Sequence, residues 1–119
     1  MSYAISITET GAPEVLQRIE RELPAPAKGQ VRVRNHVTAV NFIDTIIRRG
    51  EMPAGMMPAL PHVPGVEGAG VIEALGEGVE GLSVGDRVAW MGPIGAAGYG
   101  THSVIEAPYV TPISDDTSF

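Results

Sequence analysis

The sequence predicts a mainly β protein: a β-rich barrel with one short helix and one irregular Pro-rich loop. Three observations predict it. Fifteen glycines and ten prolines in 119 residues fall between short apolar runs, the punctuation of strands and turns rather than helices. Several of those runs alternate apolar with polar residues, the period of a half-buried strand. Only one stretch, from Asn41 to Gly50, carries helical spacing with stop signals at both ends.

Taken in order, Ser2 to Thr8 sets Tyr3, Ile5 and Ile7 against small or polar neighbours and reads as a strand. A turn at ETGAPEV leads to a second strand, Val15 to Leu23, which ends in the extended PAPAKGQ connection. VRVRNHVTAV is the clearest strand. Val31, Val33, Val37 and Ala39 are expected on one face, with Arg32, Arg34 and His36 on the other, so His36 belongs to the solvated side rather than to a ligand set. In NFIDTIIRRG, Phe42, Ile43, Ile46 and Ile47 have helical spacing between an Asn41 N-cap and a Gly50 stop. Residues 51–64, EMPAGMMPALPHVP, form a loop, long enough to suggest a lid or binding segment. GAGVIEAL, DRVAWMG, GTHSVIEA and YVTPI supply the remaining strands.

The bulk composition excludes several function classes. Fourteen acidic residues against eight basic give a net charge of −6, which repels nucleic-acid backbones. No cysteine is present, which removes disulfides, thiolate metal sites and a cysteine nucleophile together. No window approaches the run of apolar residues needed to span a membrane. The expectation is a cytoplasmic chain with neither nucleic acid nor membrane as partner.

One motif misleads. GEGVEG, Gly76 to Gly81, has the G-x-G-x-x-G spacing of a dinucleotide-binding fingerprint. That fingerprint works only where a strand passes into a helix whose N-terminus receives the pyrophosphate. Here LSVGDRVAW follows, a turn and another strand, and Glu77 and Glu80 place negative charge in the loop. The stretch reads as a hairpin connection.

Two other segments could carry chemistry. In Asn41-Phe42-Ile43-Asp44 the Asn and Asp, three apart, match a capping box, each side chain serving a main-chain N–H at a helix start. In Val63-Pro64-Gly65-Val66-Glu67-Gly68-Ala69-Gly70 the glycines permit a tight bend at a barrel corner, with Glu67 as a rim carboxylate.

ETGAPEVL, VNFIDTIIRRG, HVPGVEGAGVIEALGEGVEGLSVGDRVAW and GYGTHSVI, in that order and spacing, resemble the start of the medium-chain dehydrogenase/reductase superfamily. The nearer match is its zinc-independent quinone oxidoreductase (zeta-crystallin-like) branch, and the resemblance covers essentially the whole chain. It implies a GroES-like catalytic domain, a partly open β-barrel. It also implies NADPH-dependent reduction of quinones or α,β-unsaturated carbonyls (enones). The zinc alcohol dehydrogenases of the superfamily carry Cys where Asn41 stands and Gly-His-Glu where Gly65-Val66-Glu67 stands, so no catalytic metal is expected, and His36, His62 and His102 do not restore one.

By the same resemblance, Asn41, Asp44, Pro64, Gly65 and Glu67 border the nicotinamide-ribose end of the cofactor, the amide and carboxylate combining that role with helix capping. Ile46, Met52 and Trp90 are assigned to the substrate pocket. Many relatives have tyrosine where Ile46 stands and an aromatic residue near Met52, so this pocket is expected to be more apolar than theirs. Trp90 serves equally as barrel packing, and Met52, Met56 and Met57 equally as filler under the loop.

In that family a Rossmann domain follows this one, and no βαβ unit with a phosphate turn occurs in residues 1–119. The chain is therefore expected to be one GroES-like domain cut from a longer enzyme, inactive alone. Its expected partners are a quinone or enone, the enzyme's own Rossmann domain and, through an uncovered apolar face, another copy of itself. The alternative is a stand-alone GroES-like binding or assembly module without cofactor.

Overall fold

Alternation along Gln30–Thr38 and Glu67–Leu75 drives the central pairing of the structure, a computed structural model that describes residues 2–119. These strands, β3 and β4, run antiparallel in a five-stranded sheet. The first two strands, β1 (Ser2–Ser6) and β2 (Gln17–Arg21), precede them as a separate antiparallel pair. One helix, α1 (Phe42–Arg49), follows β3. After β4 come β5 (Arg87–Met91), β6 (His102–Glu106) and β7 (Val110–Pro112). The large sheet has the order β6-β3-β4-β5-β7, and single bridges tie the start of the chain to other segments, Ala4 to Gly100 just before β6 and Ile7 to His62 between α1 and β4. The two sheets do not close on one another, so the barrel is partly open.

Val31, Val33, Ile72, Val88, Trp90 and Ile105 pack together inside the large sheet. One polar chain runs through this core. Trp90 Nε1 donates to Asn35 Oδ1 at 3.1 Å, Asn35 Nδ2 donates to Ser103 Oγ at 2.8 Å, and Ser103 Oγ donates to the Ala97 carbonyl at 3.0 Å. Each of the side-chain polar atoms in this Trp90–Asn35–Ser103 relay thereby finds a partner, the condition for tolerating it there.

Most expected elements appear, with two differences. The second strand begins at Gln17 rather than Val15, because Pro13–Val15 wind into a 3-10 turn. Along β3 the expected faces hold only as far as Asn35. The register shifts between Asn35 and Val37, leaving His36 as the extra residue. Val37 thus leaves the face of Val31 and Val33 and is 46% exposed, since a one-residue slip exchanges the two faces of a strand.

The helix begins and ends where its caps dictate. Asn41 is extended at the N-cap, and Gly50 closes the helix in the left-handed region at φ 77°. GEGVEG lies between β4 and β5 without any helix after it, so the strand-to-strand context removes the phosphate-binding geometry. The segment from Glu51 to Val66 contains no regular element. It is tied down at its end, where His62 exchanges main-chain hydrogen bonds with Ile7 at 2.9 and 3.0 Å.

Candidate functional site

The start of α1, the Pro64–Gly65 bend and the glycine-rich segment before β6 meet at one carboxylate. Asp44, in the first turn of α1, is only 3% exposed. Its Oδ2 accepts the Asn41 main-chain N–H at 2.9 Å and the Tyr99 hydroxyl at 3.0 Å, while Oδ1 accepts the Gly65 N–H at 3.2 Å. The first of these is the acidic half of a capping box. The other two extend the cap into a tertiary hub that joins segments far apart in sequence.

Gly65 is required at the bend. Its φ is +105°, and a Cβ there would stand 2.7 Å from both Gly98 Cα and the Tyr99 nitrogen. That close approach lets Tyr99 N–H donate to the Pro64 carbonyl at 2.9 Å and Gly98 N–H donate to the Gly65 carbonyl at 3.1 Å. The Tyr99 carbonyl accepts the Ile5 N–H at 2.8 Å. The tyrosine side chain therefore rises from a base fixed on both sides.

Burial governs the electrostatics of the hub. The Tyr99 hydroxyl is pushed well above the ordinary tyrosine range, first by burial, then by the negative charge of Asp44 and the hydrogen bond to it, with Arg48 partly opposing. Burial also lowers the pKa of His62, against the pull of the Asp44 carboxylate.

Of the residues read from sequence as bordering a cofactor, Asn41, Asp44, Pro64 and Gly65 stand together at this hub. The Asn41 Nδ2 is buried and has no hydrogen-bond partner, a donor that a bound acceptor could satisfy. The residues fit a ligand that offers hydrogen-bond acceptors, such as the nicotinamide-ribose end of NADPH. Glu67 is half-buried and opens β4.

Two open grooves flank these elements. One, of about 370 Å³, is lined by Tyr3, Ile5, Val37, Val40 and Tyr99 among others. The second, of about 480 Å³, is lined by Glu67, Ala69, Ala89, Trp90 and Met91 among others. Trp90 is 3% exposed and belongs to the core as well as to this groove. Ile46 and Met52 are half-buried and line neither groove.

The histidines occupy three separate settings. His36 stacks on Phe119 with ring centroids 4.3 Å apart. His62 lies near Asp44, and His102 Nε2 meets Glu73 Oε1 at 2.9 Å. Burial lowers the His102 pKa, with Glu73 opposing. Among the described residues no three His, Asp or Glu side chains converge as metal ligands, and no helix is long and apolar enough to cross a membrane.

The family pattern of the alcohol dehydrogenase GroES-like domain matches residues 27–114, most of the chain and all of the large sheet. The chain belongs to that family. This GroES-like domain is 45% identical over 97 residues to the quinone oxidoreductase of Pseudomonas aeruginosa, covering 81% of the chain and 29% of that protein. The crystal structure of the quinone oxidoreductase from Pseudomonas syringae pv. tomato DC3000 superposes on it with a TM-score of 0.89 at 42% identity, over 100% of this chain and 35% of that one. Escherichia coli quinone oxidoreductase complexed with NADPH gives a TM-score of 0.86 at 34% identity, over 98% and 35% of the respective chains. The chain thus resembles quinone oxidoreductases of the medium-chain dehydrogenase/reductase superfamily and spans about a third of the length of the curated relatives it matches.

Sequence reasoning did not bring Tyr99 to the site, and it weighed His62 only as a metal ligand. GYGTHSVI was noticed only as part of the resemblance. Its available signal was a single tyrosine between two glycines, a large side chain where the backbone must pass close to another segment.

Proposed function

We propose that residues 1–119 form the acceptor-side domain of an NADPH-dependent reductase of quinones or α,β-unsaturated carbonyls, incomplete without a Rossmann domain. The observation that carries this reading is the Asp44 hub, which brings Asn41 and the Pro64–Gly65 bend together and leaves the Asn41 amide a buried donor without a partner. Likeness to quinone oxidoreductases, one of them an NADPH complex, supports it.

When bound, NADPH supplies a hydride from the nicotinamide to an electron-poor carbon or ring of the acceptor, so no protein nucleophile is needed. The residues of this chain hold and orient. Asn41 would donate its amide to the cofactor's ribose-nicotinamide end, and the absence of a side chain at Gly65 would let the main chain approach. The apolar side chains of Ile5, Val37 and Val40 would exclude water from the acceptor and favour a flat, weakly polar one. Positioning of this kind lowers the barrier by fixing the reacting carbons in contact.

The test is to join residues 1–119 to the Rossmann-bearing remainder of the Pseudomonas aeruginosa relative and follow NADPH consumption with benzoquinone and with an enone. The chimera is expected to turn over, and the unjoined chain to show neither turnover nor submicromolar NADPH binding in calorimetry. A folded chimera that binds NADPH but reduces neither acceptor would overturn the reductase reading. Tight binding by the unjoined chain would overturn the half-site reading.

A further inference from the structure

We infer that Tyr99 is a positioning residue: its hydroxyl fixes the Asp44 carboxylate, and through it the Asn41 and Gly65 main-chain groups that border the proposed cofactor site. The consequence for the cofactor rests on the function proposed above. The geometry of the lock does not.

Among the described residues, Tyr99 is the one side chain that donates to Asp44, the other two donors being main-chain N–H groups. Its bond closes on Oδ2, the oxygen that also holds the helix N-cap. Without the hydroxyl, that oxygen keeps one donor and Oδ1 keeps the longest contact of the three, 3.2 Å to Gly65. A carboxylate so held is freer to rotate about its bond to Cβ, with only one main-chain donor left on each oxygen. Three donors arriving from three segments prevent that rotation, and charge-assisted hydrogen bonds are the strong ones.

The base from which Tyr99 acts is itself rigid. Its N–H and C=O are committed to Pro64 and Ile5, and Gly98 just before it is bonded to Gly65. The preceding Ala97 sits at φ 61° with its carbonyl held by Ser103 Oγ. The hydroxyl is thus delivered from a segment anchored to β1, to the bend and to β6. A tyrosine serving only as packing would not need its oxygen aimed at a buried carboxylate, and phenylalanine would serve as well.

Tyr99→Phe isolates the hydroxyl, since ring and main-chain bonds remain. In the unjoined chain, amide hydrogen exchange at Gly65 and Asn41 is expected to quicken about tenfold relative to Val33 in the core, the order of effect for one lost hydrogen bond to a charged group. In the chimera the same substitution should raise the KM for NADPH about tenfold, with kcat changed by less than about twofold. Uniform quickening at Gly65, Asn41 and Val33 would reduce Tyr99 to a structural part and overturn the inference. An unchanged KM in an active, less stable chimera would do the same. An inert wild-type chimera would defeat the reductase reading instead, and exchange in the unjoined chain would still decide for or against the lock.

Discussion

Replacing Asp44 by Asn tests the hub at its centre. The carboxylate accepts three donors, at 2.9, 3.0 and 3.2 Å, while 3% exposed. An amide has one acceptor oxygen. Its better orientation leaves that oxygen where the Asn41 N–H and Tyr99 hydroxyl arrive and turns its NH2 group toward the Gly65 N–H, donor against donor. The change removes one hydrogen bond to a charged group, about 1.5–3 kcal/mol, and strands a buried N–H at about 1–3 kcal/mol. Relief from burying a charge returns part of this, so the net loss is about 3 kcal/mol. With a urea dependence of about 2 kcal/mol per molar, the unfolding midpoint should fall by about 1.5 M. Asp86→Asn is the comparator, because Asp86 Oδ2 accepts the Ser83 N–H at 2.9 Å in an exposed turn. It should cost under about 1 kcal/mol, as water can replace the lost contact. Equal midpoints for the two variants would refute the view that Asp44 joins three segments.

Two further outcomes follow from the same geometry. Gly65→Ala should lower stability by at least about 3 kcal/mol through backbone strain and overlap with Gly98, whereas Gly78→Ala, at φ +80° with nothing within 4 Å, should cost only about 1 kcal/mol. Comparable thermal midpoints for the pair would show that the bend is not tightly packed. The pKa values of His62 and His102 are both lowered on folding, so the unfolded chain binds more protons below about pH 6.5. Their contribution to stability is complete above that pH and is lost as pH falls through the lower folded values. His62→Gln and His102→Gln should each flatten the fall in urea midpoint between about pH 7 and pH 5, and an unchanged slope would show that burial does not hold them neutral.

Local chemistry was legible in the sequence wherever a pattern closes within a few residues. Asn41, Asp44 and Gly50 announced the helix because caps are set by neighbours three to nine positions away, and GEGVEG betrayed itself by the strand that follows it. The start of β2, at Gln17 rather than Val15, and the slip at His36 were not legible. A β-bulge leaves alternation intact on each side and only the partner strand reveals which residue is extra, so Val37 was placed on the wrong face. Tyr99 was missed for a related reason. It meets Asp44 across 55 positions, and no local period encodes that distance.

The hub also changes what its two polar residues have left to offer a ligand. On sequence grounds Asn41 and Asp44 each had spare hydrogen-bonding capacity. In the structure three of about four acceptor positions on Asp44 are filled, and almost none of the residue reaches solvent. Asn41 is the reverse, with its main chain committed to the cap and its amide nitrogen unpartnered. A carboxylate with few acceptor positions left holds the main chain of a residue whose own amide nitrogen is buried without a partner, which at the proposed site would separate support from recognition within one helical turn. It also places the demand for a hydroxyl at position 99 on the supporting side. Tyr99→Phe removes only a hydroxyl already committed to Asp44, so at the proposed site it probes the support more sharply than any change at Asn41 itself.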